Sequence, residues 1–295
     1  MRLQVEPYFT PEGWVDYPFT YVYDATSLTD GQSYLNIQKQ LAGDSQFILR
    51  HIAGVPLCVA AADDGGRFNY KNASGSYTSS AQYGLVMPNN WPVVPEKLYP
   101  FNASIYFDLI DVLKAVDACS GTNIYSSYIG FFGVKRYQAG RGWPKTATTY
   151  KYKERRYSYE YSLTIDWGHY TTDSTTILNP PRRQVIPMDN YDFELLQIGI
   201  SAADGSGGLT TDDFQVMLYD PDMHQLSDSP LNQSWINSAR PSPSGAPPYQ
   251  AVMPVPSIVY PAGGNIVFDV TSLLCLADAP VTYNISFEGV WRLRC

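Results

Sequence analysis

The chain has 295 residues, room for about two domains at the usual domain size. Charged residues make up only 16%, against roughly 25% in ordinary soluble domains, and the formal net charge of -8 opposes unspecific attraction to DNA or to an anionic membrane. No apolar run approaches the roughly 18 residues of a membrane span, so neither nucleic-acid binding nor bilayer insertion is expected as the main task.

The 24 Tyr, 22 Gly and 22 Pro favour half-buried strands joined by turns over helices, and an all-β fold is expected. Met1 to Pro7 lacks the apolar core of a signal peptide, so the protein is expected to stay where it is made or to leave by lysis. Period-two alternation over Tyr17–Tyr23 marks the first strand, and Phe47–Ile52 a second. Leu98-Tyr99-Pro100 leads into Ile105-Tyr106-Phe107-Asp108, where the Pro presets a bend and holds the residue before it extended. Phe107–Val116 reads as one or two helical turns capped by Asp108 or Asp111, and Ile129–Arg136 as a closing strand.

Gln138–Lys145, with two glycines and a proline, is the expected linker. Beyond it the same anchors return in the same order: an alternating strand at Tyr157–Leu163, Phe193–Ile198 in the pattern Phe-x-Leu-x-x-Ile, Val259-Tyr260-Pro261 into Ile266-Val267-Phe268-Asp269, and Ile285–Arg292. Phe268–Leu274 is the expected counterpart of the short helix, with Asp269 as a turn cap. The duplication divides the chain into residues 1–140, a linker at 141–154, and 155–295. About eight short strands per unit predict two tandem antiparallel β-sandwich, jelly-roll-like domains, each large enough for its own core. The copies differ most in a proline-rich loop at 220–257.

Candidate chemistry is sparse. Cys58, Cys119, Cys275 and Cys295 lack zinc spacing and are expected as reduced thiols. His51, His169 and His224 stand outside any nucleophile or metal motif, while Asp63-Asp64, Asp212-Asp213 and Asp220-Pro221-Asp222 lie in turn-rich sequence that favours Asp for local backbone bonding. Asp204–Gly208 reads as a turn and not a phosphate cradle. No catalytic, cofactor or metal residue is assigned.

One stretch differs in charge. Lys145, Lys151, Lys153, Arg155 and Arg156 interleave with Tyr150, Tyr152, Tyr157, Tyr159 and Tyr161, a pattern open to three readings: a strand with one solvated face, a docking face for an acidic protein partner, or a single-strand binder. Lys151, Lys153, Arg155, Arg156, Tyr150 and Tyr152, with Trp143 and Trp235, form the candidate partner-binding set. Exposed Trp91, Trp143 and Trp235 would instead suit a carbohydrate-binding module or a receptor-binding fibre component.

The Tyr-Pro entry, the Ile-x-Phe-Asp strand and the closing Phe-x-Gly-Val-x-Arg strand, on a low-charge Tyr/Gly/Pro-rich background, resemble virion structural proteins of tailed bacteriophages. That resemblance covers most of both units. It implies a non-enzymatic head decoration, collar or neck, or fibre-base component, assembled in the host cytoplasm. Its partners would be other virion proteins and further copies of itself, with no cofactor, nucleic acid or membrane.

Overall fold

The computed structural model describes residues 14–25, 28–29, 32–54, 67–71, 83–84, 91–110, 128–138, 152–165, 181–202, 214–236, 258–272 and 280–294. Eight strands fall in the first half: β1 Trp14–Asp24, β2 Tyr34–Gln40, β3 Gln46–Gly54, β4 Arg67–Lys71, β5 Tyr83–Gly84, β6 Trp91–Tyr99, β7 Ser104–Ile110 and β8 Tyr128–Gln138. Eight more follow: β9 Tyr152–Ile165, β10 Arg182–Pro187, β11 Asp192–Ala202, β12 Phe214–Leu218, β13 Leu231–Asn232, β14 Ile258–Tyr260, β15 Asn265–Ser272 and β16 Val281–Arg294. A single helical turn, α1, spans Gln233–Ile236.

All ladders between these strands are antiparallel and make four four-stranded sheets. In the first unit the orders are β1-β8-β3-β6 and β2-β7-β4-β5; in the second, β9-β16-β11-β14 and β10-β15-β12-β13. Numbered from the start of each unit, these orders are the same, 1-8-3-6 and 2-7-4-5, which is a jelly roll made twice. Register reproduces the duplication residue by residue. Phe47 faces Tyr99 and Lys135 as Phe193 faces Tyr260 and Trp291, and both third strands carry a bulge at the same place, Leu49/His51 and Leu195/Gln197.

Strand chemistry agrees with position. Pro18 in β1, Pro92 and Pro95 in β6 and Pro187 in β10 all lie on edge strands, where a missing N–H breaks no central ladder. The Tyr-Pro turns are also equivalent: Ala103 N–H donates to Pro100 O and Gly264 N–H to Pro261 O, while Asn102 (φ 57°) and Gly263 (φ 68°) supply the left-handed residue each turn needs. Tyr99 and Tyr260 point inward and are 1% exposed, so the repeated motif is framework.

Three expectations are corrected. Asp108 and Asp269 sit inside β7 and β15 and cap nothing; the expected helix at 107–116 is strand through Ile110, and that at 268–274 is strand through Ser272. The ladder continues because inward Phe107 and Leu109, or Phe268 and Val270, bury against the core while the Asp points to the other face. β9 already includes Tyr152, Lys153 and Glu154 from the expected linker. Residues 220–236 of the expected 220–257 loop form a hairpin turn, β13 and α1, and the rest lies outside the described residues.

Each sandwich has an aromatic interior. Tyr21, Phe47, Phe68, Phe107 and Phe131 fill the first; Phe193, Phe214, Phe268, Tyr283 and Phe287 fill the second. The second cluster also takes in Tyr17, Val22, Phe132 and Tyr137 of the first unit, so the two halves share a continuous apolar contact.

Candidate functional site

The contact between units is built from the connection after β12. Tyr219 bridges Gln225, and the turn between them closes on Asp220, whose carboxylate accepts from the N–H of Asp222 (3.1 Å) and of His224 (2.7 Å), with Met223 in a left-handed conformation. Leu226 to Asp228 then runs parallel to β1. Thr20 N–H donates to Leu226 O (2.9 Å) and Asp228 N–H to Thr20 O (3.1 Å). Asp228 completes the join: Oδ1 accepts from Val22 N–H (2.7 Å), and Oδ2 meets Lys39 Nζ (2.6 Å), which also donates to Val22 O (2.6 Å). An edge strand of the first sandwich is thereby extended by a segment of the second, a β-augmentation within one chain.

Behind this clasp, Trp235 on α1 is 0% exposed and meets the Phe132 ring edge to face at 5.6 Å. A Cβ on Gly130 would stand 3.0 Å from the Trp235 ring. Polar groups are enclosed here too. Burial holds the Asp220 carboxyl above the usual carboxylate range, opposed by the His224 N–H, and burial with the nearby Asp220 charge pushes the Tyr17 phenol up. Burial lowers Lys135, which sits 4.0 Å above the Phe19 ring, and Asp44 at 3.6 Å opposes that fall.

The second unit presents the matching surface in a different state. Pairing with β8 and β16 equates Tyr21 with Tyr159, Val22 with Glu160, Thr20 with Ser158, Pro18 with Arg156, Tyr17 with Arg155 and Val15 with Lys153. By the same register Phe132 becomes Glu288 and Ile48 becomes Glu194. Around Val22, Ile48, Phe132 and Val134 the outer face is apolar and buried in the first unit, with Arg136 paired to Asp16 at its margin (2.6 Å); in the second it is ionic, tied by Arg292 to Glu194 (2.7 Å) and by Gln197 to Glu288. Among the described residues, no segment pairs with the second edge of β9.

Of the candidate partner-binding residues, Lys153, Arg155 and Arg156 are exposed on β9, and Arg155 lies 5.8 Å from the Trp291 ring, on which Tyr157 stacks at 3.7 Å. Tyr152 opens the strand, while Trp143, Tyr150 and Lys151 lie outside the described residues, as do all four cysteines, His169, Asp63-Asp64 and Asp212-Asp213. Trp235 is a correction: fully enclosed between the units, it holds the chain to itself and offers nothing to a second protein. The clasp residues Asp228, Lys39 and Thr20 carried no signal in sequence, because a single parallel bridge leaves no periodicity. Asp108, a carboxylate between inward Phe107 and Leu109, did carry one.

The strand order and its duplication define the chain as a tandem jelly-roll protein. No family model and no curated protein matches it. Among solved structures it is similar to the STIV MCP (10% identity, TM-score 0.23, 92% of this chain and 96% of that one) and to the infectious bursal disease virus VP2 subviral particle (10%, 0.20, 98% and 75%). It is similar as well to PNGase F, a glycosylasparaginase from Flavobacterium meningosepticum (11%, 0.21, 94% and 96%). Structural neighbours thus include viral capsid proteins, and at these scores the likeness carries no argument about function. Among the described residues there is no group of three or more His, Cys, Asp or Glu placed to hold a metal, and no helix long and apolar enough to cross a membrane.

Proposed function

We propose that this chain is a non-enzymatic structural component of a tailed-bacteriophage particle, attached to the head as a decoration or collar and neck protein. It docks there on repeated sites of neighbouring virion proteins and on copies of itself. The observation that supports this reading is the inequality of β1 and β9. Two copies of one sandwich stand in one chain, one with its first-strand edge closed by the clasp, the other with the equivalent edge unpaired among the described residues and carrying Lys153, Arg155 and Arg156. An open edge bearing cations resists indiscriminate strand pairing and selects an acidic partner segment, as Lys39 selects Asp228 within the chain.

The experiment has two parts. Particles produced from the genome that encodes the chain are analysed by mass spectrometry and reconstruction, with the chain expected in many copies and β9 at a contact. The variant Lys153→Glu, Arg155→Glu, Arg156→Glu, changed only at exposed positions, is expected to fold normally and to load onto particles about tenfold less. Particles that lack the chain, or wild-type loading of the folded variant, overturn the reading.

A further inference from the structure

On the outer face of the sheet β2-β7-β4-β5, three polar side chains from three strands meet. Asp108 of β7 is fully buried, and its Oδ1 lies 2.7 Å from Lys71 Nζ of β4. That same oxygen accepts the backbone N–H of Asn36 of β2 at 2.7 Å. Lys71 Nζ also donates to the side-chain oxygen of Asn36 at 2.8 Å, so the amine touches both a carboxylate and a carboxamide, and the carboxylate returns to the Asn36 backbone, across three neighbouring strands. The amine is hidden as well, with a side chain 7% exposed.

Local backbone geometry creates the meeting. β2 breaks register between Tyr34 and Ile37, opposite Leu109 and Phe107, and within this bulge Asn36 takes φ 58°. A bulge re-aims a side chain, and a left-handed non-glycine residue is a strained position that surroundings must hold. Here Asp108 holds it through the Asn36 N–H. With Nζ 2.8 Å from the amide oxygen, the carbon it would attack is one bond further on, and a turn of the Asn36 carboxamide that presents its face to Nζ sets up the approach.

We propose that Lys71, Asn36 and Asp108 are a self-processing site, at which Lys71 Nζ displaces the side-chain nitrogen of Asn36 and closes an intramolecular isopeptide bond between β4 and β2. Asp108 first takes a proton from the Lys71 ammonium, leaving a neutral amine and a neutral carboxylic acid. The amine lone pair attacks Cγ of Asn36 and the carbonyl electrons move to oxygen. The proton now on the attacking nitrogen passes through the Asp108 carboxyl to the departing nitrogen. The C–N bond to that nitrogen breaks, ammonia leaves, and Asp108 remains as a neutral acid beside the new amide. Nothing is oxidised or reduced, no co-reactant is consumed, and a buried ion pair is exchanged for neutral groups, a direction that burial favours. Asn36 is itself exposed, which gives the ammonia a way out.

The second unit serves as an internal control. Asp269 occupies the same place on β15, but its partners are Arg183 (2.9 Å and 3.1 Å) and the Tyr219 hydroxyl (2.6 Å). A guanidinium stays protonated, and neither of these two partners is a carboxamide or an amine, so the same framework aspartate holds an ion pair and a phenol hydrogen bond. The reaction is confined to the first unit.

Intact-mass measurement of the full chain, purified folded and then denatured under reducing conditions, is expected to give a mass about 17 Da below that of the sequence, one ammonia. Protease digestion is expected to release a branched peptide joining the segments that contain Asn36 and Lys71. Lys71→Arg and Asp108→Ala are expected at their full sequence masses, while Asn36→Asp still closes the bond and loses water instead. A wild-type chain at full mass overturns the proposal whether or not the variants fold. So does a gain of about 1 Da at Asn36, which marks hydrolysis of its amide in place of transfer to Lys71.

Discussion

Asp220 shows how one enclosed carboxyl ties pH to the join between the sandwiches. Its native pKa is raised by burial, so in mild acid the folded state binds a proton that the unfolded chain does not. The protein therefore gains stability as pH falls through that raised value, and the gain is complete once pH reaches the unfolded carboxylate range. Above it the ionised group is a constant cost. The groups facing it, Tyr17 from β1 and His224 and Asp222 from its own turn, keep the carboxyl enclosed or add charge. Asp269 acts with the opposite sign: Arg183 lowers its pKa, so its contribution is present above the unfolded value and lost as acid titrates it below that value. Between neutral pH and the unfolded carboxylate range, urea titrations of the wild type are expected to show stability rising toward acid more steeply than those of Asp220→Asn; equal slopes would remove Asp220 from the account.

At the scale of the element, the glycines separate framework from interface. A Cβ on Gly133 would lie 1.9 Å from Ile48 O, and one on Gly289 2.0 Å from Glu194 O, the same backbone collision at the same place in both closing strands. Each follows from the neighbouring bulge in the third strand, which brings its carbonyl against the closing strand. Gly133→Ala and Gly289→Ala are expected to cost alike, about 3 kcal/mol each in equilibrium denaturation, because backbone on both sides leaves little room to relax. Gly130 is different: its counterpart is Ser286, and it is small because Trp235 and Phe132 stand over it.

This contrast explains what the sequence showed. The shared Gly-Val pairs, the Tyr-Pro turns and the Phe-x-Leu-x-x-Ile strands were legible because each must satisfy the same local geometry twice. In the first strands the alternation was visible, but its alignment was not: register sets Phe19 against Tyr157, two residues from where the tyrosine runs begin. The aspartates of β7 and β15 were misread as caps, since a carboxylate after an apolar run has two explanations and only cross-strand partners decide between them. Of the candidate contact residues, Arg156 is exposed on the face opposite the tyrosines as alternation implies, while Lys153 and Arg155 share the parity of Tyr157 and Tyr159 and are exposed because they lie at the start of β9, and Trp235 is enclosed by a long-range contact that no local pattern encodes.

The whole molecule is asymmetric in a way its duplicated topology conceals. Val22 and Phe132 lie on the outer face of the first sandwich and are buried in the apolar cluster that includes the second, and Ile48 and Val134 on that face are fully buried. Their counterparts in the second sandwich are Glu160, Glu288, Glu194 and Val290, with three of four positions ionic. Cutting the chain between β8 and β9 thus has unequal consequences. The first unit alone would expose large apolar side chains on a sheet face and an unpaired β1 edge, the combination that drives association. The second unit alone would lose the contact under Trp235 and Leu226 yet keep its charged face and its own interior. Expressed separately, residues 1–140 are expected to aggregate or to bind a hydrophobic dye strongly, and residues 141–295 to stay dispersed in size-exclusion chromatography. Mixing the two should restore a one-to-one complex, weakened by Asp228→Ala, which removes both the Val22 hydrogen bond and the Lys39 ion pair. A first unit that is monomeric and dye-free on its own would mean that the clasp is a passive contact, and that its sheet face owes its burial to residues of its own unit.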